Sequence, residues 1–326
     1  MIIIVGAGIC GLAAAYELSL RGAATIVIER GEPFAEQSVG LARIFRVAHR
    51  RPELCVLAMR ARAGWQRWEA EFDAGRLLGA EGYISVGETE DVAAAMTEAG
   101  ADFSPLDRAE IAARIPFASA PWDSGILDPL GGSLRIRRAQ TELARRVTIR
   151  RGEVAHVDDD GVTTLTDGTV LRGDRVLICA GVRTPELFGP LDVDFVPHTR
   201  FTYRGADATG AACISAPEGY GLPLGSTGQW AFGPKVPDPA TAHQLFPSLA
   251  PVGRVDCVSV RAPWLDGGGD GWRVARRGRV VAFVGANLMK FGPLLGDLLA
   301  RAVLGDELPA DLAAGLYALR SPSDRE

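Results

Sequence analysis

The feature that most constrains this fold is a glycine-rich turn between two apolar segments near the start of the chain. The turn, Gly6-Ala7-Gly8-Ile9-Cys10-Gly11, follows the apolar run at residues 2–5 and opens a run of small and apolar residues that ends at Arg21-Gly22. A second apolar run, residues 25–28, stops at Glu29. Strand, glycine turn, helix, strand and acid in this order predict a dinucleotide-binding βαβ unit.

Each position of this motif has a physical role. Gly6 permits the tight turn out of the strand, Gly8 lets a pyrophosphate approach the backbone, and Gly11 lets the helix lie close to the strand. The helix N-terminus presents N–H groups and a partial positive charge to the phosphates. Glu29 lies where a carboxylate accepts hydrogen bonds from a ribose diol, and it would repel the 2′-phosphate of NADP. The alternative is an ordinary glycine-rich turn, and the motif alone leaves NAD and FAD open.

Length and composition indicate a globular protein with room for two domains. The chain has 326 residues, of which 47% are hydrophobic and 23% charged, as in folded soluble proteins. A net charge of −5 gives no electrostatic support to a nucleic-acid partner. Five cysteines and four histidines are scattered, so we expect a cytoplasmic setting, no disulfides and no metal site. The apolar start lacks a basic segment and predicts a buried strand, not a signal peptide; no other apolar run could span a membrane.

Beyond residue 30, the pattern predicts alternating helices and strands and then a separate sheet. The predicted helices are 53–79, 91–99, 106–116, 136–146 and 294–303. The predicted strands are 82–87, 147–150, 154–157, 162–165, 170–171, 176–181 and 280–284, with a hairpin turn at Asp167-Gly168. Residues 196–264 are rich in aromatic and β-branched residues with frequent Gly and Pro, which is typical of an antiparallel sheet. Residues 321–326 are expected to be disordered.

Eight segments occur in a familiar order along nearly the whole chain. They are GAGICGLAAAYELSLRG with IER, then ARIFRVAH, GYISVG, LDRAEIAARIP, GGSL, VLICAG, YGLP and GANLMKFGPLLG. In this order the chain resembles the FAD-dependent D-amino-acid oxidase superfamily, and the glycine and sarcosine oxidase branch looks closest. The resemblance implies an α/β fold with a discontinuous Rossmann-type FAD-binding domain (1–80, 131–195 and 265–326). It also implies an α+β substrate-binding domain (81–130 and 196–264) with a mixed or antiparallel sheet.

The resemblance also implies roles for individual residues. Arg46 would bind the substrate carboxylate together with Lys290, Arg43 would lie near the flavin ring, and Tyr220 would line the substrate pocket. An arginine fork and an ammonium group suit a carboxylate on chemical grounds. The alternatives are surface charges for Arg43, Arg46 and Lys290 and a core aromatic for Tyr220. The residues expected to bind FAD, where Val154 meets the adenine through its backbone, are Gly6, Gly8, Gly11, Glu29, Arg30, Arg43, Val154, Ala180, Gly181, Cys257, Gly285, Met289 and Lys290.

Two positions separate this chain from sarcosine oxidases. Cys257 precedes Lys290 by the interval that separates their flavin-linking cysteine from the carboxylate-binding lysine, but its surroundings differ. A thioether to FAD and an ordinary buried cysteine therefore both stay open. Where those enzymes place a lysine that promotes the reaction of reduced flavin with oxygen, this chain has Ala231. Lys235 follows four residues later. Whether it takes the place of that lysine stays open.

The sequence therefore predicts FAD-dependent oxidation of the C–N bond of an amino acid or N-substituted glycine. The product would be an imine that hydrolyses to an amine or ammonia and an oxo acid, while O₂ is reduced to H₂O₂. The alternatives are a dehydrogenase of the same fold with another electron acceptor, motivated by Ala231, and a non-catalytic FAD-binding subunit. We expect a carboxylate-bearing amine and O₂ as partners, no nucleic acid or membrane, and a monomer or small homo-oligomer. The short chain and residues 225–228 suggest a bulky N-substituent and a biosynthetic role.

Overall fold

The computed structural model of the chain describes residues 1–119, 122–236, 238–266 and 269–314. Its strands are β1 (Ile2–Val5), β2 (Thr25–Glu29), β3 (Ile44–Phe45), β4 (Tyr83–Val86), β5 (Ser104–Asp107), β6 (Ser124–Asp128), β7 (Gly132–Ser133), β8 (Ile149–Arg151), β9 (Val154–Val157), β10 (Val162–Leu165), β11 (Val170–Arg172), β12 (Arg175–Ile178), β13 (Asp194–Arg204), β14 (Cys213–Ala216), β15 (Gly219–Pro223), β16 (Trp230–Pro234), β17 (Ala250–Arg261), β18 (Gly271–Arg277) and β19 (Val280–Ala286). Its α-helices are α1 (Ile9–Leu20), α2 (Pro52–Phe72), α3 (Glu90–Glu98), α4 (Arg108–Arg114), α5 (Ile136–Ala144), α6 (Thr184–Phe188), α7 (Pro239–Leu245), α8 (Gly292–Leu304) and α9 (Ala310–Ala314).

Among the helices of the described ranges, none combines the length and the apolar character needed to cross a bilayer. The predicted disorder at residues 321–326 lies outside the described residues.

The first of two compact units comprises Met1–Ser38, Gln140–Val196 and Val258–Glu326. Its sheet has the strand order β18-β19-β12-β1-β2-β8. All neighbouring strands are parallel except β18, which pairs antiparallel with β19. The strand β1 lies at the centre, so the first βαβ segment forms the middle of a doubly wound sheet. Strand β18 was not predicted, because arginines interrupt its apolar alternation.

Different layers cover the faces of this sheet. A smaller antiparallel sheet, β11-β10-β9, shares an apolar cluster with it that includes Ile3, Val154, Leu165 and Val176. Helix α1 packs against α8. At that contact, a Cβ atom on Gly296 would lie 2.9 Å from the backbone of Ala13, so the close approach of the two helices depends on glycine. The glycine turn connects β1 of this sheet to α1.

The second compact unit comprises Val39–Ala139 and Pro197–Cys257. Its sheet has the order β17-β13-β16-β15-β14-β4-β6-β5. Strands β14 and β4 are parallel, whereas the β13-β16-β15-β14 and β4-β6-β5 segments are antiparallel. One face carries an aromatic core that includes Phe201, Tyr203, Trp230, Phe232 and Phe246. Together, the two units confirm the predicted class: a Rossmann-type domain and an α+β domain with a mixed sheet.

The boundaries of the units differ from the domain boundaries expected from the sequence. Residues 39–80 and 131–139, which the expected division gave to the FAD-binding domain, fall in the second unit. Conversely, residues 196 and 258–264, which it gave to the substrate-binding domain, fall in the first unit. Local contacts explain the difference: β3 pairs with β7, and the Leu134 N–H donates to the Arg43 carbonyl at 2.9 Å. Strand pairing over some 90 residues of sequence is not visible in local periodicity.

Two predicted helices are shorter in the structure. Helix α2 ends at Phe72 instead of residue 79, because Asp73 adopts a left-handed conformation with φ of 49°, which ends a helix. Helix α4 begins at Arg108 because residues 104–107 pair with β6. There the Asp107 carboxylate accepts the Glu110 N–H, and the Glu110 carboxylate accepts the Asp107 N–H, which is a capping box.

Candidate active site

The glycine turn after β1 has the geometry that a dinucleotide needs. Gly6 has φ of +103°, and a Cβ atom there would lie 2.5 Å from the Cys179 carbonyl oxygen. A Cβ atom on Gly11 would lie 2.0 Å from the Gly6 carbonyl oxygen. Packing of the protein itself therefore requires glycine at both positions. A Cβ atom on Gly8 would meet only the Ser38 Oγ, at 3.3 Å, so Gly8 leaves open space at the N-terminus of α1.

The N-terminus of α1 offers donors to that space. Its N-cap residue, Gly8, provides no side-chain cap, and the first amides of a helix have no partner within the helix. The Ile9 N–H donates to the Ser38 Oγ at 3.3 Å, which is a long hydrogen bond. The partial positive charge of a 12-residue helix adds to these donors. The arrangement fits the pyrophosphate of FAD.

Glu29 lies at the end of β2 with its carboxylate turned back toward the turn. Its Oε2 accepts the Ala7 N–H at 2.7 Å and its Oε1 accepts the Gly31 N–H at 2.8 Å. Each oxygen retains a second acceptor site, which suits a ribose diol. The neighbouring Arg30 is exposed and pairs with Glu36 at 2.8 Å.

The remaining positions expected to bind FAD in the first unit are placed by the protein's own contacts. Val154 is buried at the start of β9. Ala180 precedes a short 3-10 helix, and Gly181 has φ of +55° with a virtual Cβ atom 2.6 Å from Gln37 Oε1. Met289 is buried. A Cβ atom on Gly285 would lie 2.5 Å from the Gly271 carbonyl oxygen, so pairing of β18 with β19 already explains that glycine.

Lys290 forms a buried ion pair within the first unit. It lies in a 3-10 helix, Leu288–Phe291, just before α8. Its Nζ is 2.5 Å from the Asp270 carboxylate, and the two side chains are 5% and 0% exposed. The Asp270 N–H donates to the Asp266 carboxylate at 2.7 Å. The surface-lysine alternative is therefore wrong, and an internal carboxylate already engages the ammonium group.

In the second unit, the polar side chains of His198, Arg200, Thr202 and Tyr220 share one face of the sheet, which we call the polar face. Side chains alternate between the two faces of a strand, and directly paired residues share a face. Thr202 pairs with Ala231, Leu222 pairs with Ala231, and Tyr220 pairs with Gly233. These residues lie opposite the aromatic core. Arg200 and His198, two and four residues before Thr202 on β13, share this polar face.

Tyr220 extends across this face toward β13. A Cβ atom on Gly233 would lie 2.5 Å from the Tyr220 Cζ, so the ring lies directly over that glycine. The Tyr220 hydroxyl is 2.9 Å from the His198 Nε2, and the two rings stack with centroids 5.8 Å apart. Burial raises the pKa of Tyr220 to about 12 and lowers the pKa of His198. Both side chains are therefore neutral near pH 7.

Arg200 connects several of the expected site residues. Its positive charge opposes the burial that raises the pKa of Tyr220, and its Nη2 is 3.5 Å from the Cys257 Sγ. It donates to the carbonyl oxygens of Val39, at 2.7 Å, and Ala42, at 3.2 Å. Arg43 donates to the same two carbonyl oxygens, each at 2.8 Å. Two positive charges therefore share one pair of acceptors on this face.

Cys257 and Arg46 have different surroundings in the same unit. Burial raises the pKa of the Cys257 thiol, and the charge of Arg200 opposes that shift. The Arg46 guanidinium donates to the Ala48 carbonyl and lies 5.5 Å from the centre of the Tyr83 ring. Both side chains are half-buried, so the surface alternative does not describe Arg46.

The structure brings some of the expected residues together and separates others. Arg43, Tyr220 and Cys257 all connect to Arg200 within the second unit. Arg46 lies in that unit and Lys290 in the first. Ala231 is buried on β16 and Lys235 is exposed just after it.

Sequence reasoning missed three residues. Arg200, Asp270 and His198 were not singled out as site residues. The alternation of His198, Arg200 and Thr202 along β13 could have placed the first two on a single face. Asp270 had no such signal, because its pairing with Lys290 depends on tertiary structure.

The position of Tyr220 gives a testable prediction. We expect Gly233→Ala to push the ring away and break its hydrogen bond to His198, because the added methyl group would overlap the ring. Overpacking of this kind lowers the free energy of unfolding by about 1–3 kcal/mol, which urea denaturation would measure. Gly253→Ala is the control, since a Cβ atom there meets Thr202 at an ordinary 3.6 Å. Equal stability of the two variants would contradict this placement of Tyr220.

Comparisons with known proteins agree with these features. The family model described as FAD dependent oxidoreductase (DAO) matches residues 1–302, whereas a search of curated proteins found no match. NikD, an unusual amino acid oxidase essential for nikkomycin biosynthesis, is similar with a TM-score of 0.81, 22% identity and 98% of each chain covered. L-proline dehydrogenase from P. horikoshii has a TM-score of 0.81, 14% identity and 95% of each chain covered. Glycine oxidase from Geobacillus kaustophilus has a TM-score of 0.78 and 19% identity, with 94% of this chain and 95% of that chain covered.

At these identities the similar structures support the fold, and the family model carries the assignment. The match spans most of the chain, and the glycine turn, the N-terminus of α1 and Glu29 fit the cofactor that it implies. The resemblance noted from the motifs is thereby confirmed. The chain belongs to the DAO family of FAD-dependent oxidoreductases.

Proposed function

We propose that the protein oxidises the C–N bond of an amino acid or N-substituted glycine, as a glycine or sarcosine oxidase does. The main support is the polar sheet face of the second unit. There Arg200 connects Arg43 and Tyr220, which separate motifs assign to the flavin and the substrate, with Cys257, which its interval to Lys290 assigns to the flavin. The imine product would hydrolyse to an amine or ammonia and an oxo acid.

The roles of the side chains follow from what the reaction requires. FAD, when bound, accepts a hydride equivalent from the substrate carbon. The protein's task is to hold the substrate in position, and Arg46 and Lys290 are the proposed contacts for its carboxylate. Arg46 is oriented by the Ala48 carbonyl and the Tyr83 ring. Lys290 would be shared between the substrate and Asp270, so Arg46 carries the larger part of this attraction.

We propose O₂ as the electron acceptor, with H₂O₂ as the product. The specific alternative is a dehydrogenase that passes electrons elsewhere. Two observations favour that alternative: Ala231 is a small buried residue where a lysine was expected, and Lys235 is exposed. Stopped-flow reoxidation of the reduced protein in air separates the two. An oxidase reacts with O₂ much faster than free flavin does, and a dehydrogenase does not.

A panel of amines tests the proposed function itself. Glycine, sarcosine, L-proline and larger N-carboxymethyl amines are added without oxygen to the FAD-loaded protein, and bleaching of the flavin is recorded. We expect at least one carboxylate-bearing amine to bleach it and its decarboxylated counterpart to fail. No bleaching with any amine would favour a non-catalytic FAD-binding subunit. Better handling of glycine and sarcosine than of every larger amine would reject the proposed bulky N-substituent.

Covalent attachment of FAD to Cys257 is a separate question with its own test. The proximity of Arg200 favours the thiolate, whereas burial opposes it. Acid precipitation of the wild-type protein and of Cys257→Ala would show whether yellow colour stays with the protein. Colour that is retained by the wild type and lost in the variant supports the thioether. Colour released from both shows non-covalent binding.

A further inference from the structure

The Tyr220 hydroxyl lies beside the imidazole of a β13 residue. It is 2.9 Å from the His198 Nε2, and the two rings stack with centroids 5.8 Å apart. A neutral imidazole has one nitrogen that accepts a hydrogen bond, so His198 can accept the hydroxyl proton. Gly233 leaves the room that lets the ring reach His198.

The charge states suit a transfer of this proton. Burial keeps the His198 pKa below its usual value, so the imidazole is neutral near pH 7 and has one nitrogen free to accept a proton. Other charged or titratable groups face this pair from its own and the neighbouring strand: Arg200 on β13 and Cys257 on β17, which lie 3.5 Å apart. Asp256, also on β17, instead accepts a hydrogen bond from the Thr199 hydroxyl on the opposite face of the sheet. Strand β16 contributes only Gly233 at this point.

An amine must be neutral at nitrogen before a flavin can oxidise it, and amino acids bind mainly as ammonium ions near pH 7. We propose that His198 is a positioning residue that receives this proton through Tyr220. The ammonium N–H bond breaks as an O–H bond forms on Tyr220, and the original Tyr220 O–H bond breaks as an N–H bond forms on His198. The positive charge moves from the substrate to the imidazole, and no electrons are transferred. The inference rests on the proposed function, in which Tyr220 lines the substrate pocket.

The first test needs no substrate. The chain has only four histidines, at positions 49, 156, 198 and 243, so ¹³C-labelled imidazole groups of the FAD-loaded protein can be followed individually by NMR. We expect the pKa of His198 to lie below the ordinary histidine value because the ring is buried, and to change in Tyr220→Phe, which removes the hydroxyl at 2.9 Å. A His198 pKa that is the same in both proteins would overturn the coupled pair.

The second test follows flavin reduction without oxygen, by stopped flow, with the amine of the panel that bleaches the flavin fastest. Loss of a proton acceptor costs about 10²-fold or more in rate, so we expect a loss of this size in His198→Asn at pH 7. The acidic limb of the rate–pH profile should disappear in the same variant. His243→Asn is the matched control, because His243 is exposed on α7, and it should retain both rate and profile.

A double variant separates this role from a general structural one. If Tyr220 and His198 act as one relay, Tyr220→Phe combined with His198→Asn is no slower than the slower single variant. Additive losses, or a His198→Asn protein with the wild-type pH profile, would overturn the inference while leaving amine oxidation intact. Failure of every amine to reduce the wild-type flavin would overturn the proposed function and this inference together.

Discussion

Lys290→Met is expected to lower the free energy of unfolding by about 3–5 kcal/mol, because it removes the charge partner of a buried carboxylate. Asp270 is completely buried and lies 2.5 Å from the lysine Nζ. Methionine is unbranched and only one heavy atom shorter than lysine, so the loss reports mainly the charge and only to a small extent a cavity. Urea denaturation of the FAD-loaded protein measures the effect.

The second lysine of the chain provides the control for this prediction. Lys235 and Lys290 are the chain's two lysines, and Lys235 is exposed. Lys235→Met should therefore leave stability nearly unchanged. Asp270→Asn should be destabilising by itself, and the Lys290→Met, Asp270→Asn double variant should cost less than the sum of the single variants. Equal stability of the two methionine variants would show that the ion pair does not contribute as its geometry indicates.

The glycine turn gives the second large effect, in which two neighbouring alanine substitutions should fail in different ways. Gly11→Ala places a methyl group 2.0 Å from the Gly6 carbonyl oxygen, and backbone at both sites must then shift. We expect loss of FAD and of most of the folded protein. Gly8→Ala meets only the Ser38 Oγ at 3.3 Å, so the fold should persist while the methyl group occupies space intended for a pyrophosphate.

FAD titration followed by flavin fluorescence, together with thermal unfolding of the cofactor-free proteins, separates the two cases. Gly8→Ala should weaken FAD binding by about 1–3 kcal/mol, roughly 10- to 100-fold, while the cofactor-free protein unfolds as the wild type does. Gly11→Ala should already be destabilised without FAD. A Gly8→Ala protein that binds FAD normally would show that the pyrophosphate does not pass over Gly8.

Local sequence signals account for the first unit better than for the second. The order of residues 2–29 predicted β1, α1, β2 and the position of Glu29, because strand and helix periods and glycine geometry act over short distances. The sequence predicted that residues 196–264 form an antiparallel sheet. It did not predict that β14 of this sheet pairs with β4, more than 120 residues away, because strand pairing over that distance leaves no local pattern.

In the candidate site, too, the sequence identified some residues and missed others. Motif resemblance identified Arg43 and Tyr220, and spacing from Lys290 identified Cys257, but the residue that connects them, Arg200, lies in no motif. The burial of Lys290 was consistent with its apolar and glycine-rich setting in the sequence. Its partner Asp270 lies beyond an irregular glycine-rich stretch, where neither periodicity nor spacing indicates which side chain it will meet.

The scarcity and placement of lysine have a practical consequence for handling the protein. Reagents that acylate amines act on accessible, uncharged amino groups, and Lys290 is buried with its ammonium group bound to Asp270. Lys235 is exposed, and the amino terminus of Met1 is half-exposed beside Asp174. Mild acylation should therefore leave Lys290 intact and direct a dye or a surface linker to Lys235 and the amino terminus. A sensor electrode or bead could thus carry the protein in a nearly uniform orientation without any engineered tag.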